Sequence, residues 1–241
     1  MKKYAILADI HGNWEALSAV LDDAKENGAT AYVCVGDVVG YNADPAKCLE
    51  KVKEICCAVI RGNHDHYCSH DECLDDFHPL AAKVVDWTRK QLTKDQINYL
   101  RKLKLQRKFD GFTIVHSTLD MPDKWGYVFD CLEADANFNY QSTSLCFHGH
   151  THVPIAYVKR DMTERIEYNK LKLTLGQKYF INVGSVGQPR DGDCRAAYVL
   201  YNQSARTIEL RRLEYDIEMT QEKIRQAGLP ERLAKRLSIG K

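Results

Sequence analysis

Lys3-Tyr4-Ala5-Ile6-Leu7-Ala8-Asp9-Ile10-His11-Gly12-Asn13 runs from an unbroken apolar stretch straight into an acid, a histidine and a glycine. Apolar runs of this length without polar alternation read as strands buried on both faces. A helical pattern follows. Asn13 stands at the N-cap position, Trp14, Leu17, Val20, Leu21 and Ala24 recur at helical spacing, and Gly28 stops the pattern. Residues 30–37 repeat the strand and end in Gly36-Asp37. Asp44-Pro45 opens a second helix as N-cap and first-turn proline, with Ala46, Leu49 and Val52 inward. Residues 56–63 form a third apolar run that ends in Gly62-Asn63, with His64-Asp65 directly after it. This β-α-β-α-β order predicts parallel strands with helices on the faces.

Farther along, residues 78–92 place Ala81, Val84, Val85, Thr88 and Leu92 at helical spacing. Thr93 and Gln96 form a capping box for a helix through Leu103. Residues 112–116, 144–150, 155–172, 178–184, 196–202 and 207–215 read as strands, and 216–237 as two short helices split by Gly228 and Pro230. There is no repeat, low-complexity tract or Pro/Gly/Ser linker. Residues 1–241 therefore read as one α/β domain, a two-layer β core flanked by helices. A helical insertion at about 78–103 and a helical tail at about 216–238 are attached to it.

A net charge of +1 gives no global field for holding extended nucleic acid or an anionic membrane, so an anionic substrate must be held locally. Asp9 interrupts the first apolar run too early for a signal peptide, and no run approaches the ~20 apolar residues of a membrane span. A cytoplasmic location is the default expectation. The nine cysteines are odd in number and several lie inside apolar strands (Cys34, Cys146), which favours reduced thiols. Cys68, His70, Cys73 and His78 offer an alternative structural zinc site, but their spacing fits no common zinc module, and surface thiols on a loop are the preferred reading.

Five polar clusters each directly follow an apolar run: Asp9-Ile10-His11, Gly36-Asp37, residues 62–65, Val115-His116 and residues 148–152. The carboxyl ends of strands in open α/β sheets form the crevice where ligands bind, so these clusters can converge. Carboxylate, amide oxygen and imidazole together suit Mn, Fe, Zn, Co or Ni. Asp9 and His11 are two apart, as are His150 and His152, so strand alternation would point each pair to one side. Asp37 is the natural bridge, with two oxygens to share between two metals. Such a pair, ~3.5–4 Å apart, clamps a phosphate and supplies a hydroxide nucleophile at neutral pH. Gly36, Gly62 and Gly149 allow tight turns near the site.

At these residues the chain resembles the calcineurin-like metallophosphoesterases, whose pattern D-x-H, G-D, G-N-H-D/E, H and G-H-x-H is complete here. The resemblance implies a four-layer α/β/β/α sandwich of mixed sheets and a dinuclear metal site. One metal would be held by Asp9, His11, Asp37 and His152, the other by Asp37, Asn63, His116 and His150. Asn63 and His64 would contact the phosphate, His64 would act as general acid, and Asp65 would orient His64. Residues 36–45, 86–93, 182–193 and the tail from Tyr215 are similar to a bacterial and archaeal branch labelled symmetric diadenosine-tetraphosphatase or Ser/Thr-phosphatase-like. Residues 66–77 and Cys194 depart from that branch.

Arg190 can bind a second phosphate through its forked guanidinium, or pair with Asp191 or Asp193. For Arg61, a salt bridge at the core edge is the preferred reading. Trp125, Tyr127 and Tyr140 lie where they could cover the site and stack on a base or aryl group. Three functional readings follow: a phosphatase or phosphodiesterase acting on a small phosphorylated molecule, nucleotides included; a dinucleoside polyphosphate hydrolase; and a non-catalytic scaffold. The scaffold reading should show lost ligands, and none is lost.

Overall fold

A computed structural model describes residues 2–72, 74 and 79–241. In chain order the first half runs β1 (Lys3–Leu7), α1 (Trp14–Glu26), β2 (Ala31–Cys34), α2 (Pro45–Ile55), β3 (Cys56–Val59), α3 (Asn63–Ser69), α4 (Pro79–Gln91) and α5 (Lys94–Lys102). Then come β4 (Gln106–Phe109), β5 (Phe112–Val115), α6 (Cys131–Tyr140), β6 (Leu145–His148), β7 (Ile155–Lys159), β8 (Thr163–Ile166) and β9 (Lys170–Lys172). The chain closes with β10 (Lys178–Asn182), β11 (Ala196–Asn202), β12 (Thr207–Leu213), α7 (Ile217–Gln226) and α8 (Glu231–Leu237).

Two six-stranded mixed sheets result, ordered β3-β2-β1-β11-β12-β9 and β4-β5-β6-β10-β7-β8. Strands β1, β2 and β3 are parallel, as predicted, and β5, β6 and β10 form a second parallel set. The strand period of two sorts side chains into layers. From β1, Ala5 and Leu7 join a core with α1 and α2, while Tyr4 and Ile6, with Ala8 just beyond the strand, face the other sheet. From β6, Leu145 and Phe147 meet them across the inter-sheet core, and Cys146 turns outward to pack with Ala134 and Phe138 of α6. Each sheet thus carries helices on one face only, giving the α/β/β/α order. Among the described residues no helix is long and apolar enough to cross a membrane.

Capping follows the sequence closely. Asn13 Oδ1 accepts from the Ala16 amide at 3.1 Å, and Thr93 and Gln96 exchange side-chain and backbone bonds at 3.2 and 2.9 Å. Asp44 is the exception: it makes no capping bond and instead accepts from Lys223 Nζ of α7 at 2.7 Å. Cys68 is buried within α3 rather than lying on a surface loop, and Cys73 and His78 of the alternative zinc reading lie outside the described residues.

Candidate active site

All the predicted ligands converge where the two parallel strand sets end. Asp9, His11 and His152 form one buried group of potential metal ligands, and Asp37, His116 and His150 another, the atoms of each within 4.8 Å of one another. Asn63 Oδ1 lies 3.1 Å from His116 Nε2. Strand alternation does not produce this convergence, because β1 ends at Leu7 and β6 at His148. Asp9, His11, Asp37, His150 and His152 all have left-handed backbone, with φ of 52°, 49°, 54°, 69° and 61°. That conformation is costly for residues bearing a Cβ and is kept only where surrounding bonds demand it. Here they do. His11 donates its backbone N–H to Asp37 O at 2.9 Å, Asn42 Nδ2 donates to His11 O at 2.9 Å, and Ser185 Oγ donates to Asp9 O at 2.8 Å.

The glycines act mainly by leaving space. Gly36 is left-handed (φ +103°), and a Cβ there would sit 2.8 Å from His116 Nδ1. Gly62 and Gly149 are not left-handed; a side chain on either would strike the Asp37 or Asp9 carboxylate.

Backbone carbonyls set the imidazole tautomers. A carbonyl only accepts, so the ring nitrogen facing it carries the proton. His11 Nδ1 donates to Val39 O (3.1 Å), His116 Nδ1 to Val35 O (3.0 Å) and His152 Nδ1 to Gln188 O (2.6 Å). His150 is reversed and donates from Nε2 to Trp125 O at 2.9 Å. The Nε2 atoms of His11 and His152 then face each other at 3.1 Å, each presenting a lone pair. Two acceptors at that distance repel unless a cation lies beside them, so the donor set fits a metal. Asp37 Oδ2 stands 3.6 Å from His11 Nε2 and 3.4 Å from His116 Nε2, while Oδ1 accepts from the His64 amide at 2.8 Å. A single Asp37 oxygen, Oδ2, therefore faces both donor groups, rather than one oxygen facing each.

Charge concentrates on one pair. Burial opposes charge on His116, but the neighbouring Asp37 carboxylate outweighs it and pushes this imidazole up to about 9. Burial likewise works against Asp37, yet His116, His64 and His11 hold its carboxyl well below the usual range. Burial drives His11 and His152 well below the usual histidine range, and His150 down to about 3. Neutral imidazole is the form that ligates, which burial already favours for His11, His150 and His152, whereas His116 would have to release its proton to serve as a ligand.

His64 lies edge-on to His11 with ring centroids 4.8 Å apart, and its Nδ1 is buried without a partner. Burial lowers it to about 4, and negative charge brought beside it would raise it again. Asp65 does not orient this ring. Its two oxygens accept from the backbone amides of Asp37 (2.8 Å), Val38 (2.9 Å), Val39 (3.2 Å) and Gly62 (3.1 Å), so it fixes the turn carrying the bridging carboxylate. His148, inside the same cluster as His150, is a core residue stacked on Phe180 at 4.1 Å.

Arg190 makes no pair with Asp191 or Asp193, which bind Arg212 and Arg195. Its Nη2 donates to Gln188 Oε1 at 3.0 Å, and its guanidinium lies over the Tyr41 ring at 5.7 Å. Arg61 has no salt bridge among the described residues; it donates to Arg101 O at 3.1 Å. Tyr127 stacks on His150 at 4.3 Å and Trp125 stands 6.2 Å from His116, whereas Tyr140 lines a separate hollow with Gln106 and Ser142. The sequence reading missed Tyr41, whose ring lies 4.6 Å from His11 and 4.3 Å from His64. Its only signal is its place after the Gly36-Asp37 turn.

A model of the calcineurin-like phosphoesterase superfamily domain matches residues 2–205. The chain is 37% identical over 241 residues, 98% of both chains, to the uncharacterized protein MJ0912 of Methanocaldococcus jannaschii. It is 26% identical over 220 residues, 87% of this chain and 93% of the other, to phosphodiesterase YfcE of Escherichia coli K12. The crystal structure of a metallophosphoesterase from Sphaerobacter thermophilus matches with a TM-score of 0.88 and 36% identity, covering 100% of this chain and 99% of that one. The lone pairs turned inward from two sheets thus have a family context, and the chain belongs to the calcineurin-like phosphoesterase superfamily, a phosphoester hydrolase.

Proposed function

We propose that hydrolysis here runs on two divalent transition-metal ions, one held by Asp9, His11, Asp37 and His152 and the other by Asp37, Asn63, His116 and His150. The observation that carries this reading is the 3.1 Å approach of the His11 and His152 Nε2 atoms, with Asp37 Oδ2 facing both donor groups. When bound, such a pair supplies Lewis-acid stabilisation of phosphoryl charge and an activated water. The chain's own residues do the rest. Asn63 and His64, side by side at the start of α3, meet the phosphate, and His64 gives a proton to the leaving oxygen. Asp65 holds the Asp37 turn through the amides of Asp37, Val38 and Val39 and its own helix start through that of Gly62. Arg190 stabilises negative charge at the rim.

The substrate is a small phosphorylated molecule in an aqueous compartment, the cytoplasm in this reading. The name of the Escherichia coli relative puts diesters among the first to try. The test combines elemental analysis with turnover of p-nitrophenyl phosphate, bis-p-nitrophenyl phosphate and diadenosine tetraphosphate, each with Mn, Fe, Zn, Co, Ni and Mg. Two ions per chain and metal-dependent turnover are expected. One ion per chain at full activity sinks the dinuclear reading.

A further inference from the structure

The imidazoles assigned to metal are each anchored by a ring nitrogen to a backbone carbonyl, His11, His116 and His152 through Nδ1 and His150 through Nε2. His64 is not. Its Nδ1 is buried and meets no hydrogen-bond partner among the described residues. Asp65 is taken up by amides, and the Asp37 carboxylate accepts from the His64 main-chain N–H rather than from the ring. An imidazole without such an anchor turns about its Cβ–Cγ bond, where the torsional wells are broad and two-fold, and its nitrogens trade places with carbons.

Packing from one turn takes the place of the missing bond. Gly40 lies flat against the Nδ1 edge of His64: a Cβ there would stand 2.5 Å from that nitrogen and 3.0 Å from Cγ. The next residue, Tyr41, sets its ring 4.3 Å from the His64 ring at 52°, while His11 meets His64 edge-on at 4.8 Å. Tyr41 is itself held in a costly conformation. Its φ of 58° is left-handed, and the Asn42 N–H closes the turn around it by donating to Gly40 O at 2.8 Å and His11 O at 3.0 Å. Behind the ring, Tyr41 packs on the apolar cluster that includes Val84 of α4 and Leu233, Ala234 and Leu237 of α8. Helix α8 lies beyond the stretch matched by the family model, so the C-terminal tail of this chain backs a wall of the site.

Resting on the reading of His64 as general acid, we propose that Tyr41 is a positioning residue whose ring, braced by α8, fixes the His64 imidazole. Nδ1 is then kept against Gly40, and Nε2 is left to give the proton to the leaving oxygen.

The first test needs no substrate. Nuclear relaxation of the His64 ring carbon is measured in the full chain with isotope-labelled histidine and zinc, which is closed-shell and does not broaden the signals. His64→Asn assigns the signal. The wild-type ring should be as rigid as the backbone, and Tyr41→Phe should keep it so. Tyr41→Leu, which retains apolar bulk against α8, should set the ring moving. A mobile ring in the wild type overturns the proposal without any variant, so a Tyr41→Leu chain that fails to fold does not shelter it.

Turnover supplies the second test. Tyr41→Leu should lower kcat on alkyl phosphoesters about tenfold and change KM less than about threefold, because alignment in the transition state is what is lost. Tyr41→Phe should keep most of the rate. In a His64→Asn background, Tyr41→Leu should add less than about twofold, since a residue acting through His64 has nothing left to position. Losses that multiply in the double variant, or a Tyr41→Phe chain as slow as Tyr41→Leu, overturn the positioning role. Unchanged turnover in His64→Asn would sink the general-acid reading alone, and the relaxation result would still decide whether Tyr41 holds the ring.

Discussion

The two sheets contribute unlike halves of the site. The ends of β1, β2 and β3 carry Asp9, His11, Asp37 and Asn63, so every oxygen donor comes from the first sheet. The ends of β5 and β6 carry His116, His150 and His152, so the second sheet supplies imidazole alone. The groups Asp9–His11–His152 and Asp37–His116–His150 each take members from both sheets, while a third, His11–Asp37–His64, lies wholly at the ends of the first. Hydrogen bonds already cross the gap, from His116 Nδ1 to Val35 O at 3.0 Å and from the His150 amide to the Asp9 carboxylate at 3.0 Å. At this edge the apolar inter-sheet core gives way to polar groups, and a cation held by them, as proposed above, would tie the two layers together.

The hardest way to break that arrangement is at Asp37, the acid that faces both groups. Asp37→Asn should remove metal from both positions, costing about 4 kcal/mol of transition-state stabilisation. That is on the order of a thousandfold in turnover. Elemental analysis of the variant reads it directly; two ions bound at wild-type affinity would end the bridging role. Next in size is His64, which belongs to the first sheet but is not assigned to either metal. His64→Asn should keep metal and fold while turnover falls on the order of a hundredfold, about 3 kcal/mol. The loss should shrink for p-nitrophenyl esters, which need little protonation, and stay large for alkyl esters. A uniform loss across leaving groups would make His64 a phosphate contact only.

Chelation tests the coupling of the sheets without any mutation. An ion present at 100 times its Kd stabilises the folded chain by about 2.7 kcal/mol. For a chain of this size, that is roughly 5–10 °C in melting temperature. Removing metal should lower the melting temperature by that much, and hydrogen exchange should quicken first at the ends of β1, β2, β5 and β6. An unchanged melting curve would separate metal binding from sheet packing.

The donors of the first sheet were legible because each sits directly after an apolar run, and the order of those runs implies parallel strands. Legibility stopped where side-chain direction depends on the turn. Asp9 and His11 reach one side through left-handed backbone, which a two-residue spacing does not reveal. Asp65 looks in sequence like a partner of His64, yet its oxygens are engaged by amides brought from the β2 turn. Helix α6 escaped notice although Asp130 and Glu133 form a capping box. Strand β4 escaped because its residues are polar and mostly exposed on an edge, where the hydrophobic signal is weak. The docking of α8 could not have been placed at all, because it rests on apolar contacts spread over α4 and α7.

The smallest effect belongs to a cluster confined to the first sheet's layer. Asp23 on α1 accepts from Tyr198 Oη of β11 at 2.6 Å and from Arg211 of β12 at 2.7 and 3.0 Å. Burial pushes this carboxyl up, but the bonds from Arg211 and Tyr198 outweigh burial and hold it below the usual range. A depressed carboxyl stabilises the fold above its unfolded value of about 3.9, and that contribution is lost as pH falls through the folded value. Asp23→Asn should therefore cost about 2 kcal/mol at pH 7, since it removes charge-assisted bonds from a mostly buried group. The gap between variant and wild type should close as pH drops below about 4. Denaturant melts at several pH values measure both parts. Because the cluster ties a helix to its own sheet and does not cross to the other, metal content and turnover should hold. A loss of metal in Asp23→Asn would mean that the first sheet's internal geometry, and not only its contact with the second, sets the site.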